Sequence, residues 1–397
     1  RGLQQVAHIA WLGKKTPFCG NVTYGLNTTE ALKERGHQTS FIHFDNPGGL
    51  SNGESALLEN DPEVSLPYLV KSQVYTIPFP GAQRELKESF ERLQPDLVHA
   101  SLTLSPLDFR LPELCEQLSV PLVATFHPPF DSGMRHLTAG TQQLTYQLYA
   151  PALARYDKVI VFSELQAEVL TKLGVSEERL AVIPNGVDPE CWTPATTQYI
   201  TPKQQEVRKR LGSKRIFLYM GRIAAEKNVE ALLRAWRLVD TTGCRLVIVG
   251  DGPLRSTLQN SSTTTKEGDV LWWGYESDLS TKVALLQCAE VFVLPSLVEG
   301  LSLALLEAMA TGTACVATNA GADGEVLEGG AGIVLSTQGV TTQLRTLLPV
   351  LRDQPVLTAE LGRLARARVL ERYTITRNID DLESLYGKLL GVKPIAA

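Results

Sequence analysis

The strongest constraint on this chain is an alternation, run twice, of short apolar strand patterns with helical stretches. In the first run, strands are predicted at Val6–Gly13, Gln38–Phe44, Gln73–Phe79, Asp96–Ser101, Pro121–His127 and Lys158–Ser163. Helical patterns lie between them at Val22–Arg35, Gln83–Leu93, Ser105–Leu118, Gly140–Arg155 and Glu164–Leu173. Strands that are apolar on both faces need cover on both, and helices of this length supply it, so the pattern predicts an α/β fold with a parallel sheet. The stretch Asp45–Pro67, rich in Gly, Ser, Asn and Pro, reads as a long loop.

The alternation breaks after Ile183-Pro184-Asn185-Gly186-Val187-Asp188. Pro189–Pro202 is rich in Thr and Pro and has no periodicity, which reads as a linker followed by a short helix to Leu211. A second series then places strands at Ile216–Gly221, Arg245–Gly250, Val270–Gly274, Val291–Pro295, Ala314–Thr318 and Gly332–Leu335, with a helical tail from Gln343 to Leu390. The expected organisation is a first domain over 1–188, a linker over 189–213 and a second domain over 214–372. Two doubly wound domains in series would offer a ligand cleft at the carboxyl ends of their strands.

Composition agrees and narrows the function. The chain has 397 residues, 44% hydrophobic and 20% charged, which is globular and ample for two cores. Apolar runs such as Arg215–Gly221 stop far short of a membrane span, and Arg1–Val6 lacks the plan of a signal peptide. The expectation is a cytoplasmic chain, in peripheral contact with a membrane if its acceptor is a lipid. Residues 1–185 hold 15 Lys and Arg against 20 Asp and Glu, while residues 186–397 hold 23 of each. An acidic first half argues against nucleic acid, whose phosphates need clustered cations. Cys19, Cys115, Cys191, Cys244, Cys288 and Cys315 are widely spaced with no C-x-x-C pair, so neither a disulfide framework nor a metal site is expected.

Two motifs carry chemistry. In Pro295-Ser-Leu-Val-Glu299-Gly300-Leu301-Ser302-Leu-Ala-Leu-Leu-Glu307, a buried strand ends, a glycine turn follows and an apolar helix starts near Ser302. The N–H groups of Gly300, Leu301 and Ser302 would lie at the helix's positive end, suited to a diphosphate. Glu299 and Glu307 can each accept hydrogen bonds from sugar hydroxyls, and an unpaired carboxylate in the apolar surroundings of Glu307 is costly without such a role. In Gly221-Arg222-Ile-Ala-Ala-Glu226-Lys227-Asn228, two cations stand where a helix start normally favours acids, so they need an anionic partner. A diphosphate fits, since Arg forks onto phosphate oxygens and Lys adds a point charge.

Together these motifs resemble the retaining GT-B glycosyltransferases of family 4, and the resemblance covers nearly the whole chain. Ile183–Asp188, Val249-Gly250-Asp251-Gly252-Pro253, Gly274-Tyr275 and Glu371-Arg372-Tyr373-Thr374 match further family segments. The last implies that a terminal helix, 373–397, packs back on the first domain. The fold implied is two Rossmann-like domains facing across a cleft. By the same resemblance, Arg222 and Lys227 would hold the leaving diphosphate, Glu307 the ribose, Glu299 the donor sugar and the backbone around Tyr275 the base. His127 resembles the histidine beside the transferred sugar. The catalytic set implied is therefore His127, Arg222, Lys227 and Glu299, with no metal and no cofactor beyond the UDP-sugar itself. Retention implies front-face attack, the leaving phosphate taking the acceptor's proton.

The first β/α loop, Phe18-Cys19-Gly20-Asn21, departs from the family's paired glycines, leaving Gly20 for close approach to the donor. Pro128-Pro129-Phe130-Asp131 departs after His127. Cys19, Asn21, Pro128 and Phe130 are thus the expected acceptor-side residues. The wording Ala10–Tyr24 with Phe126–Phe130 is similar to cyanobacterial enzymes of the digalactosyldiacylglycerol-synthase type, which implies galactosyl transfer to a membrane glycolipid. Helix Thr141–Arg155 has apolar and Tyr positions suited either to a bilayer or to core packing. A soluble saccharide or polysaccharide acceptor with UDP-glucose is the rival, and a nucleotide-sugar epimerase shares the two-domain plan.

Overall fold

The computed structural model describes residues 6–16, 19–45, 63–72, 75–128, 140–263 and 269–391. The chain divides into two compact units, 1–127 with 137–184 and 375–397, and 128–136 with 185–374.

The first unit contains β1 (His8–Leu12), β2 (Gln38–Phe44), β3 (Val64–Leu66), β4 (Tyr68–Lys71), β5 (Thr76–Pro78), β6 (Leu97–Ser101), β7 (Leu122–Thr125), β8 (Lys158–Val161) and β9 (Leu180–Val182). Seven of these form one sheet in the order β3-β2-β1-β6-β7-β8-β9, every pair parallel. β4 and β5 make a separate antiparallel ribbon. The central strands bury both faces, as their unbroken apolar runs require: Ile9, Ala10, Trp11, Leu97, Val98 and Val123 are fully enclosed.

The last helix, Ile375–Leu389, belongs to this first unit. Its Ile379, Leu382, Leu385 and Tyr386 pack with Ile9, Leu97, Val123 and Ile160. Polar groups fix its register. Arg35 donates to Asp380 at 2.5 Å and to Glu383 at 2.6 Å, while His37 meets Glu383 at 2.8 Å. Asn378 donates its amide to the Pro184 carbonyl at 2.7 Å.

The second unit contains β10 (Arg215–Met220), β11 (Cys244–Val249), β12 (Val270–Gly274), β13 (Ala289–Leu294), β14 (Ala314–Thr318) and β15 (Ile333–Leu335). They run parallel in the order β12-β11-β10-β13-β14-β15, which is the 3-2-1-4-5-6 order of a doubly wound sheet. Its strand order reverses between β10 and β13, and the polar loops with the strongest motifs follow these two strands.

The alternation in the sequence corresponds closely to these elements, and the differences have local causes. The expected loop Asp45–Pro67 contains β3, whose Val-Ser-Leu is too short to show a period but adds an edge to β2. Ser105–Leu118 is a 3-10 turn, Pro106–Phe109, and a separate helix, Leu111–Leu118. Pro106 and Pro112 each open a helical segment, because a first turn has no use for the N–H that proline lacks. Residues 189–213, linker-like in composition, are packed: Trp192, Val207 and Leu211 are buried in the second unit's core. The helix Pro202–Leu211 within them starts with a Thr201/Gln204 capping box.

Candidate active site

In the second unit, the loops after β10 and β13 meet at the switch point of the sheet. Leu297 N donates to the Glu226 carbonyl at 2.8 Å, tying the two loops backbone to backbone. Lys227 ends a tight turn, Ala225–Lys227, and Asn228 takes a left-handed conformation (φ 54°) to start the helix Val229–Leu238. Asn tolerates that region better than most residues. The turn aims Lys227 across the loop, and its Nζ lies 2.6 Å from Glu299 Oε1. Ser296 donates its hydroxyl to the same oxygen at 2.7 Å. Glu299 Oε2 makes no hydrogen bond among the described residues, although the side chain is only 9% exposed. The carboxylate is therefore held from one side and open on the other. The cation that the sequence pairs with a diphosphate thus has a protein partner in Glu299 and two further N–H bonds to give. Arg222 is half-exposed, with its guanidinium 3.7 Å from Glu226. Tyr219 donates its hydroxyl to the Arg222 carbonyl at 2.6 Å, which fixes the start of the loop.

Glu299, Gly300, Leu301 and Ser302 form the turn that leads into the helix Leu303–Ala310, whose first residue follows the expected cap, Ser302. The Ser302 side chain accepts from Leu305 N at 3.3 Å. Its own N–H, offered by the sequence to a diphosphate, donates instead to Asp323 Oδ1 at 2.9 Å. Gly321 lies directly under the turn at φ +56°, and a Cβ there would come within 2.3 Å of the Glu299 and Gly300 carbonyl oxygens. Ala322 N donates to the Gly300 carbonyl at 2.8 Å. Asp323 is wholly enclosed, and desolvation followed by the charge on Glu299 drives its carboxyl well above the usual range. Gly321–Asp323 is a floor that sequence reasoning missed. Its only signal is a Gly-Ala-Asp-Gly turn after a buried strand.

Glu307 lies in the second turn of that helix, half-buried. Desolvation pushes its carboxyl up to about 7, with Lys282 pulling the other way. Tyr275 is exposed just beyond β12, after Gly274, whose carbonyl accepts from Gly250 N at 2.8 Å. Gly250 has φ +140°, and a Cβ there would fall 1.8 Å from the Gly221 carbonyl oxygen, so two strand-end loops touch through bare backbone. With strands about 5 Å apart, Tyr275 lies roughly 10 Å along the sheet from the β10 loop.

In the first unit, Cys19 is the cap residue and Gly20 the first residue of the helix Gly20–Glu34. Cys19 has extended backbone and makes no side-chain cap; a Cβ at Gly20 would meet open space. Asn21 donates to the Leu102 carbonyl at 3.0 Å and accepts from Ser101 Oγ at 3.1 Å. Ser101 Oγ also lies 3.3 Å from His127 Nε2. The structure thus joins Asn21 and His127 through Ser101, which the sequence did not single out. Desolvation pushes the His127 imidazole down to about 4, with Lys14 adding to the effect, so it is neutral at neutral pH. Pro128, where the division of the chain passes to the second unit, follows half-buried, and Phe130 lies outside the described residues.

Among the described residues, no three His, Cys, Asp or Glu side chains converge as metal ligands. No described helix is long and apolar enough to cross a membrane.

Two family models match, one described as Glycosyltransferase Family 4 over residues 20–191 and one as Glycosyl transferases group 1 over residues 214–353. The chain is 29% identical over 227 residues to the Escherichia coli UDP-Gal:alpha-D-GlcNAc-diphosphoundecaprenol alpha-1,3-galactosyltransferase, covering 55% of this chain and 56% of that one. It is 30% identical over 285 residues to glycogen synthase of Mycobacterium tuberculosis, covering 70% of this chain and 64% of that one. The match therefore spans between half and two thirds of these relatives. Among solved structures, Anabaena Alr3699/HepE in complex with UDP-glucose superposes with a TM-score of 0.74 at 18% identity, covering 96% of this chain and 99% of that one. With both sheets in doubly wound order and family matches over both halves, the chain belongs to the family-4 glycosyltransferases of GT-B fold.

Proposed function

We propose that this protein is a retaining hexosyltransferase that moves galactose or glucose from a UDP-sugar to a glycolipid acceptor such as a galactosyl diacylglycerol. The observation that carries the transfer reading is the Lys227–Glu299 pair at the switch point of the second sheet. Glu299 is fixed through Oε1 alone, which leaves Oε2 to accept from hydroxyls of the donor sugar. Lys227 keeps N–H bonds for the diphosphate beside that sugar, and Arg222 adds a fork from the same loop. Cations aimed at a departing diphosphate stabilise charge as it develops, which is where electrostatic catalysis gains most. Glu307 takes the ribose hydroxyls, and the backbone at Tyr275 takes the base. The spacing of β12 from β10 suits an extended nucleotide sugar.

In this reading the second unit is the donor side. The first unit, with Cys19, Gly20, Asn21 and His127 at or near the ends of its strands and Pro128 next in the chain, meets the acceptor and the transferred sugar. His127, neutral through burial, serves as a hydrogen-bond partner for a sugar hydroxyl and not as an acid. The acceptor's proton passes to the leaving phosphate, so no general base is required of the protein. A UDP-galactose donor and a lipid-linked acceptor are supported by the name of the Escherichia coli relative, and a UDP-glucose donor by the Anabaena complex. The exposed Leu144 and Leu148 on the helix Gly140–Leu153 favour an apolar acceptor or a peripheral membrane contact. A saccharide or polysaccharide acceptor is the second reading, favoured by the likeness to glycogen synthase.

The test is to incubate the protein with labelled UDP-galactose or UDP-glucose and a panel of monogalactosyl lipid, diacylglycerol and soluble saccharides. Labelled product on the galactosyl lipid is expected. Transfer to saccharides alone would replace the acceptor assignment, and no cleavage of either donor would sink the donor assignment.

A further inference from the structure

The first unit contains a buried polar chain that the proposed chemistry does not use. His99 and Ser101 lie two residues apart on β6, and Thr125 and His127 are two apart on and just beyond β7. Ser101 pairs in register with Thr125, so the period of two places all four side chains on one face of the sheet. Two helices cover that face. The first, Gly20–Glu34, brings Tyr24, and the last, Ile375–Leu389, brings Tyr386.

The groups connect end to end. Tyr386 OH lies 2.5 Å from His99 Nδ1, His99 Nε2 lies 2.7 Å from Thr125 Oγ1, and Thr125 Oγ1 lies 2.9 Å from Tyr24 OH. Every member is at least 98% enclosed. Trp11 stacks on the His99 ring with centroids 4.1 Å apart. A neutral imidazole donates at one nitrogen and accepts at the other, so the hydroxyls on either side of His99 are aligned in one direction. Breaking any link leaves a buried polar group unpaired, so such a chain strongly specifies its own geometry.

The chain ends against His127. The Tyr24 ring meets the His127 ring edge-on with centroids 5.5 Å apart, and Phe162 closes the other contact at 5.1 Å. His127 has little else to orient it. Its Nε2 contact with Ser101 is long at 3.3 Å, and its Nδ1 makes no hydrogen bond among the described residues. The angle of the imidazole therefore depends mainly on its ring neighbours, of which Tyr24 is anchored through Thr125 and His99 to the last helix.

We propose that Tyr386, His99, Thr125 and Tyr24 form a positioning network that fixes the His127 imidazole, so that the last helix of the chain governs turnover at the acceptor side without touching a substrate. The proposal rests on the reading of His127 as a partner of the transferred sugar. It explains why a helix from the far end of the chain returns to the first sheet carrying a hydroxyl to its interior. Apolar packing alone would dock the helix, and a phenylalanine would pack as well as Tyr386.

Thr125→Val tests it most cleanly, because it removes the hydroxyl while keeping the shape, and Thr125→Ser restores the hydroxyl. Tyr386→Phe breaks the other end. Three readouts are needed: UDP release from UDP-galactose and UDP-glucose, UDP affinity by calorimetry, and the His127 ring signals by NMR. For Thr125→Val the expected result is a fall in kcat of about tenfold, in line with the cost of a small misplacement. UDP affinity should stay within about twofold, and the His127 signals should shift or broaden. Tyr386→Phe should lower kcat by about threefold and move the His127 signals in the same way, with UDP affinity again within about twofold, and Thr125→Ser should stay close to the parent protein. If Thr125→Val does not fold, Tyr386→Phe and Thr125→Ser carry the comparison. Unmoved His127 signals together with kcat within twofold, in Thr125→Val or Tyr386→Phe that folds, would overturn the network. His127→Ala, measured alongside, separates the two ideas. Normal turnover in that variant removes the role of His127 itself. A crippled His127→Ala beside a normal Thr125→Val removes only the network.

Discussion

In the second unit, the strand-end loops hold opposite charges in contact, with Lys227 Nζ 2.6 Å from Glu299 Oε1. In the first, the groups around His127 are mostly neutral at neutral pH: the Asn21 amide, the Ser101 hydroxyl and an imidazole pushed down to about 4, partly by the charge of Lys14 in the loop after β1. Both sheets begin with the same 3-2-1-4 order and reverse at the same place, so topology does not account for the contrast. The side chains at the strand ends do. Fixed charges suit a ligand whose own charge grows during reaction, whereas neutral donors and acceptors suit hydroxyl groups that must be bound and then released.

The strongest way to break this comparison is to remove the charges. Lys227→Ala leaves Glu299 with only Ser296, and Glu299→Ala leaves Lys227 unpaired. Each should lower UDP-galactose or UDP-glucose cleavage by about a hundredfold or more, measured as UDP release. Activity within a few fold in both variants would show that the pair is a structural ion pair.

A smaller effect is expected from the floor of the loop. Gly321→Ala places a methyl 2.3 Å from two carbonyl oxygens at φ +56°, so Glu299 and Gly300 must move. The strain is worth about 1–3 kcal/mol, and donor affinity should fall roughly tenfold together with the melting temperature. A loss of stability with donor affinity intact would mean that the loop's position is not what binds.

Charge on Glu307 offers a subtler test. Its carboxyl is pushed up to about 7, so it loses its proton, and gains the charge that favours its proposed role as acceptor for ribose, as pH rises through neutrality. UDP affinity should therefore increase several-fold between about pH 6 and 8, and Glu307→Gln should flatten that dependence. Stability moves the other way. Between the ordinary carboxylate range and 7, the folded protein holds a proton that the unfolded chain has lost, so this group's contribution falls as pH rises. Calorimetric titration with UDP and thermal unfolding across that range check both signs.

The smallest change should come from Arg222→Lys. The residue is half-exposed and its ion pair with Glu226 is long, so a retained charge without the fork should weaken UDP binding by only about threefold.

Much of this comparison is legible in the sequence. Fully apolar strand patterns fix a sheet buried on both faces, and helical stretches between them fix parallel connections, because a parallel return needs a crossover. Glu299 and Lys227 stood out because charged residues in glycine turns after buried strands have few structural reasons to be there. The residues missed share a different character. Asp323, Ser101, His99, Thr125 and Tyr386 are ordinary members of a turn, strand or helix, and nothing in their local spacing marks them. Their importance comes from partners between 21 and 287 positions away, Ser302 for Asp323 and Tyr386 for His99.

The sequence by itself determined the class of fold, the two series of strands and the charged turns, because each depends on side-chain period and on local backbone chemistry. Only the tertiary structure decided that Lys227 and Glu299 answer each other and that Asp323 already holds the Ser302 N–H. It also decided that the last helix delivers Tyr386 to His99 inside the first unit. Which buried polar group meets which is set by the packing of elements far apart in the chain, and hydrogen bonds act over about 3 Å in space with no regard for separation in sequence.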